Sequence, residues 1–161
     1  MKILQNLFAK GGIVVGAPIA GSLVSIKEVS DPTFGEEILG KGVAIIPSDN
    51  RIYAPVDGKV ATVFPTGHAV AVVGNDGMEI LIHVGLDTVK LNGEHFTIHA
   101  EEGQEVKKGD LLLEADLEQI KAAGYDIITP IVICNTDEFT EIQPEEPKTV
   151  APGDDIMKLR K

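Results

Sequence analysis

Two histidines, His68 and His83, stand at the outer ends of two alternating apolar runs joined by Gly74-Asn75-Asp76-Gly77. Gly and Asn accept the positive φ of tight turns, so the stretch reads as a β-hairpin. With Asn75 and Asp76 as the central turn residues, Gly74 faces Gly77, Val73 faces Met78, Ala71 faces Ile80 and His68 faces His83. Opposed side chains on one face stand about 5 Å apart at Cβ. The expectation is two imidazoles side by side at the open end of the hairpin. It hangs on register, because a slip of one residue sends side chains to the other face.

Two imidazoles in contact do not both carry charge cheaply, so at least one stays neutral near pH 7. A neutral ring nitrogen is a nucleophile toward phosphorus and also a metal ligand. In this register Val70 and Leu81 share the histidine face, and Phe64 lies just upstream. Such an apolar rim excludes water and protects a labile phosphohistidine. The plain alternative is two surface histidines on a hairpin edge. His95 and His99 are four apart. Asn92-Gly93 argues against a helix there, and in a strand four residues span roughly 13 Å, too far for one metal. Both read as structural. Cys134 follows the apolar Ile131-Val132-Ile133, has no basic neighbour to lower its pKa, and reads as core.

The elements that position the pair are short. Glycine and proline are plentiful, aromatics are few, and the apolar runs are brief and rich in Val and Ile. That is the pattern of an all-β fold, an antiparallel sandwich or barrel-sandwich. Strands are expected at residues 43–47, 51–54, 59–64, 111–115, 131–133 and 155–159. The one clear short helix spans 116–123, with Asp116 as cap, Gln119 at the box position and Gly124 as stop. Residues 137–146 are acidic and read as a solvated surface segment. Ala17-Pro18-Ile19-Ala20-Gly21 recurs as Ala54-Pro55-Val56-Asp57-Gly58, and Val106-Lys107-Lys108-Gly109-Asp110 as Val150-Ala151-Pro152-Gly153-Asp154. These duplicated turn-strand phrases suggest a sandwich of two related halves.

The 161 residues suit one domain, expected at 13–161 behind a tail at 1–12. In the tail, Ile3, Leu4, Leu7 and Phe8 form a helical stripe beside Lys2 and Lys10, enough for weak contact of residues 1–10 with a membrane surface. No apolar run is long enough to span a bilayer and no signal peptide is visible, so the expected location is cytoplasmic. A net charge of −11 argues against nucleic acid as a partner.

Thr66-Gly67-His68-Ala69, followed by Ile82-His83-Val84-Gly85-Leu86-Asp87-Thr88-Val89, resembles the glucose-type enzyme IIA of bacterial phosphoenolpyruvate:sugar phosphotransferase systems. Ala54-Pro55-Val56-Asp57-Gly58, Glu101-Glu102-Gly103-Gln104, Val106, Gly109-Asp110 and Thr129-Pro130-Ile131-Val132 fit the same pattern, so the likeness runs from about Gly16 to Lys161. The resemblance implies a β-sandwich phosphocarrier with His83 as the phosphorylated nucleophile and His68 as its transfer partner. It implies that Thr66 orients His68, that Asp87 lies at the rim, and that Phe34, Phe64 and Leu81 line the depression on which partners dock. Those partners are the phosphocarrier HPr and a cysteine of a sugar-specific IIB domain in a membrane-embedded IIB-IIC permease, with regulatory targets besides. No cofactor or metal is required, although His68 and His83 could bind zinc adventitiously or at a partner interface. Leu81 departs from the aromatic residue, and His95 from the glycine, found in relatives.

Three other readings compete. A two-histidine zinc hydrolase needs a third ligand and a base, with Asp87 the nearby candidate. A purely regulatory protein would bind partners according to its phosphorylation state. A biotinyl or lipoyl carrier needs a lysine at a hairpin tip, where this chain has Asn75-Asp76.

Overall fold

The computed structural model describes residues 12–161, so the stripe at residues 1–10 lies outside the described residues. The short Val- and Ile-rich runs become antiparallel strands. Eight form one sheet in the order β13 (Lys148–Val150), β2 (Gly21–Ser25), β3 (Lys41–Pro47), β11 (Thr129–Ile133), β7 (Glu79–His83), β6 (Ala69–Gly74), β5 (Gly58–Val63) and β9 (Glu105–Val106). Two three-stranded sheets pack against it. One is β1 (Ile13–Gly16), β14 (Asp155–Arg160) and β12 (Glu141–Pro144); the other is β4 (Arg51–Tyr53), β10 (Leu111–Ala115) and β8 (Phe96–Ile98). Val43, Ile45, Val70, Val72, Ile80, Ile82 and Ile131 of the large sheet share one core with Val15, Ile52, Leu113 and Met157 of the small ones. The fold is an antiparallel β-sandwich. On the far face of the large sheet, Ala44, Leu81 and Val132 lie in a second core with Ile26, Val29, Phe34, Leu86 and Ile128.

The duplicated phrases are related by a pseudo-two-fold. Taken from the central pair β11 and β7, the large sheet reads β3, β2, β13 in one direction and β6, β5, β9 in the other. The backbone bonds repeat with it. Gly16 N–H donates to the Pro55 carbonyl at 2.9 Å and Tyr53 N–H to the Pro18 carbonyl at 2.7 Å. Ala17 and Ala54 N–H groups donate to the carbonyls of Asp154 and Asp110 at 2.7 and 2.8 Å. The carboxylates of Asp154 and Asp110 accept from the Ala151 and Lys107 N–H groups at 2.9 and 2.8 Å. Val150 pairs with Gly21 as Val106 pairs with Gly58. The half from β4 to β10 is continuous and is inserted between β3 and β11 of the other.

Local details depart from the sequence reading. The helix α2 (Leu117–Ala122) forms as expected, with Asp116 accepting from Gln119 N–H at 3.2 Å and Gly124 at φ +94 just beyond it. A one-turn helix α1 (Pro32–Gly35), capped by Asp31 with Pro at its first position, is added; four residues are too few to show periodicity. The acidic segment at 137–146 is not wholly solvated, because Phe139 is buried and Ile142 of β12 packs on the main core. Cys134, expected in the core, is exposed just past the end of β11.

The hairpin register is also corrected. β6 and β7 pair Ala69 with His83, Val70 with Ile82 and Val73 with Glu79, one residue away from the expected pairing. The loop is a residue longer than supposed: Gly77 N–H bonds the Gly74 carbonyl at 2.9 Å, Gly77 takes φ +92, and Gly74 N–H closes on the Met78 carbonyl at 2.9 Å. A left-handed glycine after a tight turn is the usual three-residue hairpin solution. Val70 therefore faces the main core, and Leu81 and His83 face the other side.

Candidate functional site

The slipped register alone would send His68 and His83 to opposite faces. They meet nevertheless, because the β6 ladder begins at Ala69 and His68 lies before it. The turn at residues 64–67 closes with Gly67 N–H on the Phe64 carbonyl at 2.7 Å, with Gly67 at φ +72. His68 is thus not bound to strand alternation. Its carbonyl accepts from Val84 N–H at 2.7 Å, and its ring stands edge-on to His83 with centroids 4.9 Å apart and planes at 82°.

Each ring has one nitrogen in a hydrogen bond. His68 Nδ1 is 2.5 Å from Thr66 Oγ1. His83 Nδ1 is 2.7 Å from the Gly85 carbonyl. A carbonyl only accepts, so neutral His83 carries its proton on Nδ1 and keeps the Nε2 lone pair. Phe34 lies against His83 with centroids 4.9 Å apart, and Phe64 against His68 at 5.4 Å.

The electrostatics favour neutral rings. Burial, and repulsion from His83 when charged, push the pKa of His68 down to about 4. Burial also lowers that of His83, against the opposing pull of the Gly85 carbonyl, Asp31 and Asp87. Both are therefore largely uncharged near pH 7. Among the described residues no three His, Cys, Asp or Glu side chains group as a metal site. The zinc hydrolase reading lacks its third ligand there.

A family model described as phosphoenolpyruvate-dependent sugar phosphotransferase system, EIIA 1, matches residues 13–139. The chain belongs to this family. The EIIA domain is 45% identical over 146 residues to the PTS system beta-glucoside-specific EIIBCA component of Bacillus subtilis (strain 168), covering 91% of this chain and 24% of that protein. It is 49% identical over 128 residues to the component of the same description from Dickeya chrysanthemi, covering 80% and 20%. The chain thus spans about a quarter or less of the length of these relatives. Among solved structures it is similar to glucose permease IIA from Mycoplasma capricolum, with a TM-score of 0.84, 38% identity, and coverage of 91% and 95% of the two chains. No helix among the described residues is long and apolar enough to cross a membrane.

The EIIA domain brings His68, His83, Thr66, Phe34 and Phe64 into one cluster. Asp87 is exposed at φ +60, where it opens a 3-10 turn (Thr88–Leu91) and acts on His83 through its charge. Phe34 is only 4% exposed and Phe64 37%, so Phe64 offers the more open apolar surface. Leu81 is half-buried against the second core. His95 and His99 lie elsewhere; His99 bonds Glu114 at 2.8 Å. The backbone N–H groups of residues 84–87 follow His83 directly in the chain. Two are already engaged, Val84 with His68 and Leu86 with the Asp126 carbonyl at 2.9 Å. The sequence reading also missed Asp31, although Asp31-Pro32-Thr33-Phe34 carries a capping signal, and Asp126, which sequence spacing does not bring near.

Proposed function

We propose that the domain carries a phosphoryl group on His83, accepting it from phospho-HPr and delivering it to a cysteine of a sugar-specific IIB domain. The arrangement of His83 supports this most directly: its Nδ1 is bonded to the Gly85 carbonyl and its neutral Nε2 is left as the nucleophile. In the first step the Nε2 lone pair forms the new N–P bond while the donor's N–P bond breaks and its electron pair returns to the donor nitrogen. In the second, the cysteine thiolate forms an S–P bond and the pair returns to Nε2. Neither step needs a metal or nucleotide.

His68 serves the group in flight. With the Thr66 hydroxyl donating to Nδ1, the proton of neutral His68 sits on Nε2, a donor for the charge that spreads over the phosphoryl oxygens. The apolar Phe34 and Phe64 rings beside the pair keep water from hydrolysing the intermediate. Phe64 and Leu81 give the partner an apolar landing surface, and Asp31 and Asp87 stabilise the charge on a phosphorylated His83 ring. HPr and the IIB domain place the work in the cytoplasm.

Incubation with phosphoenolpyruvate, enzyme I and HPr tests the reading. Wild type gains acid-labile phosphate, His83→Gln gains none, and His68→Gln gains it but discharges slowly to IIB. Native uptake by His83→Gln overturns the assignment.

A further inference from the structure

Thr88 is buried and polar, and its hydroxyl is bonded to the backbone rather than to a histidine ring. Its hydroxyl donates to the Val84 carbonyl at 2.6 Å. That bond belongs to a run of anchored peptides between the histidine and the following turn. Val84 N–H is held by the His68 carbonyl, Val84 carbonyl by Thr88, and Leu86 N–H by the Asp126 carbonyl. The Gly85 carbonyl, whose own peptide ends in Leu86 N–H, is the one that meets His83 Nδ1. Gly85 sits at φ +77, and a Cβ there would lie 2.6 Å from Thr88 Cγ2 and 2.8 Å from the Asp126 carbonyl oxygen. Thr88 therefore grips this loop by its hydroxyl on one side and its methyl on the other.

We propose that Thr88 is a positioning residue which, by holding the Val84–Gly85 backbone, aims the Gly85 carbonyl at His83 Nδ1 and so selects Nε2 as the nitrogen free to take phosphate. The inference rests on the phosphocarrier reading for its consequence, but its geometry stands apart from that reading. If the Val84 carbonyl loses its donor, the Val84–Gly85 peptide can rotate, since glycine resists rotation least, and the Gly85 carbonyl, then held only through Leu86 N–H on the Asp126 carbonyl, tilts away from Nδ1. His83 then loses the acceptor that keeps its proton on Nδ1. The tautomer with the proton on Nε2 keeps its lone pair on Nδ1 and has none at Nε2 to offer phosphorus.

The test uses the full chain with ¹⁵N-labelled histidine. Nitrogen shifts of His83 report its tautomer, and phosphate uptake from HPr is measured in parallel. Thr88→Val keeps the volume and removes the donor. It is expected to shift His83 toward the Nε2–H tautomer and to slow uptake about 10-fold or more, the size of effect seen when a group orienting a metal-bound histidine is lost. Thr88→Ser, which keeps the hydroxyl, is expected to hold the wild-type tautomer and to recover most of the rate. If Thr88→Val does not fold, Thr88→Cys, a weaker donor of similar size, is read in the same way. A wild-type tautomer in the donor-deficient variant overturns the proposal, as does a slow Thr88→Ser with the same tautomer change. If wild type itself takes no phosphate, the phosphocarrier reading falls, while the tautomer comparison still decides the role of Thr88.

Discussion

Gly85→Ala offers a direct measure of how tightly the loop beside His83 is held. Two costs add. Gly85 sits at φ +77, where an L-residue costs about 1–2 kcal/mol. The new Cβ would also lie 2.6 Å from Thr88 Cγ2 and 2.8 Å from the Asp126 carbonyl, far inside ordinary contact. Neither neighbour yields cheaply: Thr88 is tied to the Val84 carbonyl and the Asp126 carbonyl to Leu86 N–H. Overpacking of this kind costs about 1–3 kcal/mol. The total of about 2–5 kcal/mol lies below the usual 5–15 kcal/mol of a folded domain. Gly103→Ala is the control, because Gly103 has φ +84 and nothing within 4 Å of its missing Cβ. It should lose only the backbone part. At a urea slope of about 2 kcal/mol/M the midpoint falls by about 1–2.5 M for Gly85→Ala and about 0.5–1 M for Gly103→Ala. Equal midpoints for the two variants would show that the loop gives way freely, and the argument for a fixed Gly85 carbonyl would fail.

Two further outcomes follow from charge and symmetry. The pKa of His68 falls from its ordinary value near 6.5 to about 4 on folding, so the unfolded chain binds the extra proton in that window. The stability owed to neutral His68 is fully present above about pH 6.5 and is lost as pH falls toward about 4, by at most about 3 kcal/mol. Urea midpoints at pH 7.5 and 5 should differ less in His68→Gln than in wild type, and an unchanged difference would remove His68 as the cause. Asp110→Ala and Asp154→Ala each take an acceptor from an equivalent turn. Each should cost about 1–2 kcal/mol, the double variant should show the sum, and clearly unequal losses in thermal unfolding would mean that the two turns do not carry equal loads.

Much of the site was readable because it is local. Ile82-His83-Val84-Gly85-Leu86-Asp87-Thr88-Val89 holds His83, the Gly85 carbonyl that bonds its Nδ1 and the Thr88 hydroxyl that bonds the Val84 carbonyl within a few residues. Asp116, Gln119 and Gly124 likewise announce α2 by capping chemistry confined to one turn. The register of β6 and β7 was not readable, because it depends on whether Gly77 or Asp76 closes the loop, and both tolerate a tight turn. The imidazoles meet through the exit from the turn at Gly67, which strand alternation does not describe. Asp126 reaches the site through a backbone carbonyl, and a carbonyl has no sequence signature. Cys134 was misplaced because one residue past a buried strand is already outside.

The nesting of one half inside the other has a consequence for how the chain acquires its shape. Both histidines belong to the continuous inner half, so they can be brought together by pairings close in sequence. The outer half closes only when β1 meets β14, which lies at the opposite end of the chain. Closing so long a loop is entropically expensive and slow. During synthesis β6 and β7 are free to pair before β11 emerges, so His68 and His83 are expected to meet before the second core, which joins Phe34 to Ile128 and Val132, is complete.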